Sequence, residues 1–267
     1  MNTYHLDLLQ KHLQKALERY CEICDSSPER KYFSDETVLS QTKKIVQNYI
    51  ALFQSLHFLD QHTEYYHKGF IFTYEQKEEQ AITDGEYAEI TKLLTEAYQR
   101  IIASISKERF FLPIHVQQIN TEEIHIFIGV VTKKNQHYTI SIVTHHTVYP
   151  RPPASIGNNK YRYLIKMLEI YDPDESATLK AFVTSKGLSY LQFRKDSTVF
   201  FESSFYHHYL KIKMIPVLED LLLSTLSYKE IAYKNGFANY YQLYNLFHRT
   251  YHFPFHRIPR IALQQLL

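Results

Sequence analysis

Apolar residues in the first hundred positions recur at steps of three and four, the spacing that lines one face of an α-helix. Leu6, Leu9, Leu13, Leu17 and Tyr20 mark one such face, and Val38, Thr42, Ile45, Tyr49, Leu52 and Leu56 mark a second. Ser34 or Asp35 stands where a side-chain oxygen can accept from the second helix's first amides. Tyr87, Ile90, Leu94, Ala97, Ile101 and Ile105 predict a third helix, beginning after Asp84. Between the last two, Gly69-Phe70-Ile71-Phe72-Thr73-Tyr74 is a short aromatic and β-branched run that suits a strand.

The period then changes. Residues 112–118, 122–131 and 137–146 alternate or run apolar, as in Ile124-His125-Ile126-Phe127-Ile128, and Lys133-Lys134-Asn135-Gln136 supplies a polar turn. This predicts an antiparallel meander of three strands, with Phe70–Tyr74 as a candidate fourth, burying one face against the preceding helices. Val148 to Asn159 breaks both periods, because Pro150, Pro152 and Pro153 remove donors and Gly157-Asn158-Asn159 favours a turn. Beyond it every pattern is helical. The predicted organisation is α+β: a domain over residues 1–150 with helices and a small antiparallel sheet, a linker over 151–159, and an all-α domain over 160–267.

Composition fits one large core or two modest ones, and the length favours two domains: 267 residues, 45% hydrophobic and 22% charged, with a mean hydropathy of -0.35. No apolar run approaches the roughly 18 to 20 residues that cross a bilayer, and the start lacks the apolar stretch of a signal peptide, so a cytoplasmic protein without a membrane partner is expected. Cys21 and Cys24 form a lone CxxC in a helical pattern, without the second ligand pair of a structural zinc site, and read as reduced, partly buried helix residues. The net charge of +2 conceals a division. Residues 1–159 hold 16 Lys+Arg against 19 Asp+Glu, and residues 160–267 hold 14 against 9, a net -3 and +5. A cationic C-terminal part can attract a polyanion such as DNA, although the same imbalance also suits a solvated surface.

The strongest local signal lies at Leu226 to Phe237. Ser227 with Glu230 three places on has the capping-box spacing, Ala232 is small where helices approach closely, and Gly236 falls where the chain must turn with positive φ. Phe237 plugs the corner. Asn239 can cap a second helix whose Leu243, Leu246 and Phe247 point inward and whose Tyr240, Tyr241, Tyr244, Asn245 and His248 point mostly outward. Helix, glycine turn and helix with a polar, aromatic outer face fits a major groove. The run Ser227 to Tyr251, "SYKEIAYKNGFANYYQLYNLFHRTY", resembles the second helix-turn-helix of AraC/XylS-type regulators, with Ile231, Ala232, Gly236, Phe237, Leu243 and Phe247 on the pattern positions. Pro254 to Arg260 resembles that family's closing proline-containing helix.

The resemblance implies a second, upstream unit joined by a long helix. Leu164–Tyr171, Leu179–Phe182, Gly187-Leu188-Ser189 and a connecting helix through Tyr209, Leu210, Leu218, Leu221 and Leu222 take those places in a degraded form. Met214 and Leu218 stand where the family has arginine and alanine, Gln192–Glu202 lacks the family's glycine, and Pro216 would kink the connecting helix unless it begins a new turn.

The resemblance further implies a transcription regulator, an activator in keeping with the family, whose two units reach successive major grooves roughly 34 Å apart. Its partners would be double-stranded DNA, RNA polymerase for an activator, and a small-molecule effector or a second copy of the chain at the N-terminal domain. Candidate DNA contacts are Asn239, the capping residue, with Tyr240, Tyr241, Tyr244 and Asn245 for base edges and His248 and Arg249 nearer the backbone; tyrosine against thymine methyls and asparagine against adenine would lean the site towards A·T. A rival is an interaction protein that kept the fold and lost specific DNA binding. Six scattered glycines form no phosphate-cradling loop and no nucleophile stands beside a base, so no enzyme and no cofactor are expected. His145-His146 and His207-His208 read as coincidence rather than metal ligands.

Overall fold

The computed structural model describes residues 3–26, 35–59, 70–74, 111–119, 124–134, 137–148, 159–173, 175 and 178–264. The helix expected over 87–105 and the linker over 151–158 lie outside the described residues.

Helices α1 (Thr3–Ser26) and α2 (Asp35–Ser55) form where the three- and four-step pattern places them. Leu6, Leu9, Leu13, Leu17 and Tyr20 of α1 are buried, as are Val38, Thr42, Ile45, Tyr49 and Leu52 of α2. Each such side chain contributes roughly 1.5–3 kcal/mol by leaving water. Four strands follow, β1 (Phe70–Tyr74), β2 (Phe111–Ile119), β3 (Ile124–Lys134) and β4 (His137–Val148). They make an antiparallel sheet of order β1-β4-β3-β2, so Phe70–Tyr74 is its fourth strand, an edge paired with β4 in the register Phe70↔Ile142. Lys133 and Lys134 belong to β3 rather than to the turn, because Lys134 pairs with His137 and only two residues bridge the strands. Ile126, Ile128 and Val130 enter the core shared with the helices, and Phe127 and Val131 are buried as well, so β3 is covered on both faces.

The C-terminal part is helical: α3 (Arg162–Ile170), α4 (Leu179–Ser185), α5 (Tyr190–Phe201), α6 (Phe205–Leu223), α7 (Tyr228–Lys234), α8 (Tyr240–Tyr244) and the short α9 (Ile261–Gln264). From α8 the chain continues without a break into a wider π-helical turn, Asn245–Thr250, and a 3₁₀ turn at Phe255–Arg257. α6 runs through Pro216, whose ring nitrogen leaves the Ile212 carbonyl without a helical donor. Packing compensates: Met214, Ile215, Val217, Leu218, Leu221 and Leu222 of this helix are all fully buried.

One apolar cluster joins α1, α2 and β3 to the second half of α6, to α7 and to the chain from Leu243 to Ile261. A smaller cluster gathers Leu164, Met167, Phe182, Val183, Phe193, Phe201 and Phe205 around α3, α4 and α5. The second helical unit therefore shares its core with the N-terminal helices, and the first unit holds a core of its own against which Tyr4 of α1 packs.

Candidate nucleic-acid interface

Two helix-turn-helix units stand on α6, and their turns are built alike. In the first, Gly187 N–H donates to Thr184 O (2.9 Å) and Leu188 N–H to Val183 O (3.3 Å); in the second, Gly236 N–H donates to Tyr233 O (3.0 Å) and Phe237 N–H to Ala232 O (2.9 Å). Both are Schellman closures, and both glycines take the left-handed φ that this closure requires, +73° and +70°. The helix starts correspond as well. Thr178 Oγ1 accepts from Ala181 N–H (3.1 Å) ahead of α4, and Ser227 Oγ accepts from Glu230 N–H (3.3 Å) ahead of α7. Glu230 returns the bond to Ser227 N–H at 2.7 Å, completing the capping box and holding its own carboxyl below the usual range.

The first unit is thus complete in geometry where its sequence looked degraded. α5 runs unbroken over twelve residues from its Ser189 cap, and Glu202 with a left-handed φ ends it. Its exposed face carries Leu191 (64% exposed), Arg194, Lys195, Thr198 and Val199 (56%), and α4 adds Lys180 with Lys186 just beyond. Sequence reasoning missed this face. The available signal is a repeat: 49 residues separate Thr178 from Ser227, and 49 separate Gly187 from Gly236.

The second unit divides the expected contact residues. Asn239 is exposed, but its Oδ1 accepts from Gln242 N–H (2.9 Å) as the cap of α8, which commits part of its side chain to the helix start. Tyr241 is 74% exposed, and Asn245, His248 and Arg249 are exposed beside it. Tyr240 and Tyr244 are only half-buried and do not stand clear of the bundle: their rings lie 6.2 Å from the Phe255 ring, Tyr240 also meets Tyr228 at 6.0 Å, and burial raises the Tyr240 phenol above its ordinary pKa. Tyr244 Oη and His256 Nε2 lie 3.4 Å apart, so the closing 3₁₀ turn props this ring. Leu243 and Phe247 are buried in the core as expected, while Leu246 is only partly covered and packs against it.

Charge on the helical part is mixed, with Glu169, Asp172, Glu175, Glu202 and Glu230 exposed among the cations. Asp196, Glu219 and Asp220 are buried and occupied from within: Asp196 accepts from Tyr163 Oη and Gln192 Nε2 (2.8 Å each), Glu219 pairs with Lys15 and Arg19, and Asp220 pairs with Lys234. Lys180, Lys186, Arg194, Lys195, Lys229, Arg249 and Arg257 are exposed on the two units. Arg260 is structural, donating to the carbonyls of Ser224 (3.1 Å) and Leu226. Lys213 of α6 donates to Gly236 O at 3.0 Å and lies 5.0 Å over the Phe237 ring, tying the second turn to the connecting helix.

Comparison with family models, with curated proteins and with solved structures finds no match. The geometry therefore stands by itself. Among the described residues no group of three or more His, Cys, Asp or Glu side chains converges as metal ligands do, and no helix is long and apolar enough to cross a membrane. Cys21 and Cys24 are both buried free thiols on α1, and burial pushes the Cys24 thiol up to about 11.

Proposed function

We propose that this chain is a DNA-binding transcription regulator of the AraC/XylS type, gripping a duplex with both helix-turn-helix units. The observation that carries the reading is the pair of matching glycine turns, closing α4 and α7 on either side of the connecting helix α6, each followed by a helix with an exposed outer face and exposed cations. On this reading the exposed Lys180, Lys186, Arg194, Lys195, Arg249 and Arg257 meet phosphates, which fixes position and makes affinity fall with salt. Tyr241 and Asn245 are the leading base readers of the second unit, by a ring against thymine methyls and an amide against adenine. Tyr240 and Tyr244 act chiefly by bracing that helix on Phe255. Leu191 opens the outer face of α5 and would give the first unit an apolar contact to thymine. A cytoplasmic location and contact with RNA polymerase belong to the same reading.

One observation favours a rival. Leu191 and Val199 are exposed apolar residues on a surface meant for DNA, which also suits a protein partner. A mobility-shift titration on genomic fragments at rising salt decides: a regulator shows steep loss of affinity with ionic strength and a protected site by footprinting, whereas an interaction protein shows neither.

A further inference from the structure

The second helices of the two units match in register. Ser189 Oγ accepts from Gln192 N–H (3.5 Å) and Asn239 Oδ1 from Gln242 N–H (2.9 Å), while Phe193 N–H donates to Ser189 O (2.9 Å) as Leu243 N–H does to Asn239 O (3.4 Å). These caps stand 50 residues apart and the turn glycines 49, so the second turn carries one extra residue before its helix. From the caps onward burial repeats at the offset of 50. Phe193 and Leu243 are fully buried, as are Ser197 and Phe247. Leu191 and Lys195 are exposed where Tyr241 and Asn245 are, and Thr198 where His248 is. Equivalent positions of the two outer faces are therefore filled with different chemistry.

Internal bonds narrow which of these side chains can meet a base. Glutamine is a natural adenine reader, and each helix has one at the same place, but both are engaged. Gln192 Nε2 donates to Asp196 Oδ1 (2.8 Å), and Gln242 Oε1 accepts from Ala238 N–H (2.8 Å). Asp196 is the acid of α5; it is buried and also accepts from Tyr163 Oη, so α5 turns no carboxylate outward beside Lys195. That leaves Leu191 with Lys195 in the first unit and Tyr241 with Asn245 in the second, each pair four residues apart and hence on one side of its helix.

The two pairs suit different bases. An asparagine amide has a donor and an acceptor side by side, which complement the N7 and N6 of adenine. A lysine ammonium has three donors and no acceptor, so it has nothing to offer the adenine amino group and is matched by the two acceptors of guanine, O6 and N7. Leucine has no polar atom and contributes on a base edge only against the thymine methyl. We infer that the two units read unlike half-sites: Lys195 and Leu191 select a guanine and a thymine under α5, and Asn245 and Tyr241 select adenine and thymine under α8 and the turn that continues it. This rests on the DNA-binding reading and takes Lys195 from the phosphates to a base. A target with unlike halves also fixes the direction in which the chain lies on the duplex.

The full chain is taken through rounds of mobility-shift selection on a randomised duplex pool, beside Lys195→Ala, Asn245→Lys and the double variant Leu191→Tyr with Lys195→Asn. The parent chain should enrich two separated blocks, one holding a fixed G·C pair and the other A·T pairs alone. Exchanging that G·C pair for A·T should weaken the parent about tenfold and leave Lys195→Ala unchanged. The double variant copies the second unit's readers into the first and should turn the G·C block to A·T, while Asn245→Lys should bring a guanine into the other block. A gained preference of this kind cannot come from a misfolded protein. Two A·T blocks for the parent, a single enriched block, or a G·C preference that survives Lys195→Ala overturns the inference and leaves DNA binding standing. Enrichment of no sequence overturns the DNA-binding reading itself.

Discussion

Asp220 in the connecting helix α6 and Lys234 at the end of α7 form a 2.6 Å ion pair whose carboxylate is buried and whose ammonium is half-exposed. The same carboxylate accepts from Asn235 Nδ2 at 3.0 Å and lies 3.5 Å from Arg19 of α1, and Arg19 also bonds Glu219 at 2.8 Å. Through two adjacent acids, the N-terminal helix and the first helix of the second unit are anchored on one turn of α6. Arg19 and Glu219, 200 positions apart, thus help fix where α7 sits.

Removing one cation from such a network leaves a buried carboxylate short of a partner. Buried pairs broken on one side cost about 3–5 kcal/mol and exposed pairs about 0–1. Arg19 is partly covered and touches both acids, so Arg19→Ala should cost about 2–3 kcal/mol; Lys234 is half in water and Asn235 remains on Asp220, so Lys234→Ala should cost about 1–2. Urea unfolding followed by circular dichroism measures both losses, and a smaller loss for Arg19→Ala than for Lys234→Ala would contradict the shared-anchor account.

Base reading and bracing predict opposite phenotypes on one helix. Tyr241→Ala and Asn245→Ala should each weaken specific DNA binding by about 1–3 kcal/mol while leaving nonspecific affinity and stability nearly unchanged. Tyr240→Ala removes a ring packed beside Tyr228 and Phe255 and should lower stability first. Mobility shifts on specific and random fragments, alongside unfolding midpoints, separate the two; equal loss on both fragments for Tyr241→Ala and Asn245→Ala would remove them from base reading.

Where α1 crosses the start of α6, His5 and His208 stack among Tyr4, Phe58 and Phe201, with ring centroids 5.5 Å apart and His208 3.9 Å from Phe201. Burial first, then the charge of Lys211, pushes His5 down to about 3; burial, then His5 and Lys211, pushes His208 down to about 2. Glu202 acts on Lys211 from the end of α5. Protons therefore bind the unfolded chain before the folded one. Stability is full above about pH 6.5 and falls below it towards the folded values, by up to about 1.4 kcal/mol per pH unit for each histidine. His208→Phe should remove part of that slope between pH 6.5 and 5 in urea melts; an unchanged slope would place the acid sensitivity elsewhere.

What the residues announced in advance is what local chemistry decides. Ser227 with Glu230, Gly187 and Gly236 are short-range signals: a cap accepts from an amide three residues on, and a left-handed turn admits few side chains. The faces of α1 and α2 were legible because one side of each meets water. α6 was legible as a connecting helix from Tyr209, Leu210, Leu218, Leu221 and Leu222, although Met214–Leu223 is buried at every position but Pro216 and shows no exposed polar stripe. Pro216 lies inside α6, which continues as one helix from Phe205 to Leu223. The partial covering of Tyr240 and Tyr244 depends on Phe255, which arrives from beyond the π-helical turn, a distortion that no spacing rule predicts.

The two glycine turns match in backbone but differ in surroundings, and substitution should expose the difference. A Cβ at Gly187 would meet nothing within 4 Å, so Gly187→Ala carries only the left-handed penalty of about 1–2 kcal/mol. At Gly236 the same Cβ would lie 3.2 Å from Lys213 Nζ, the group that donates to the Gly236 carbonyl. Gly236→Ala should therefore cost the same penalty plus about 1 kcal/mol for the weakened bond. Asparagine, which tolerates a left-handed φ, should recover most of the loss at Gly187 and less at Gly236, where its longer side chain must still displace the lysine. Equal recovery at both glycines, read from unfolding midpoints, would mean that Lys213 does not brace the second turn.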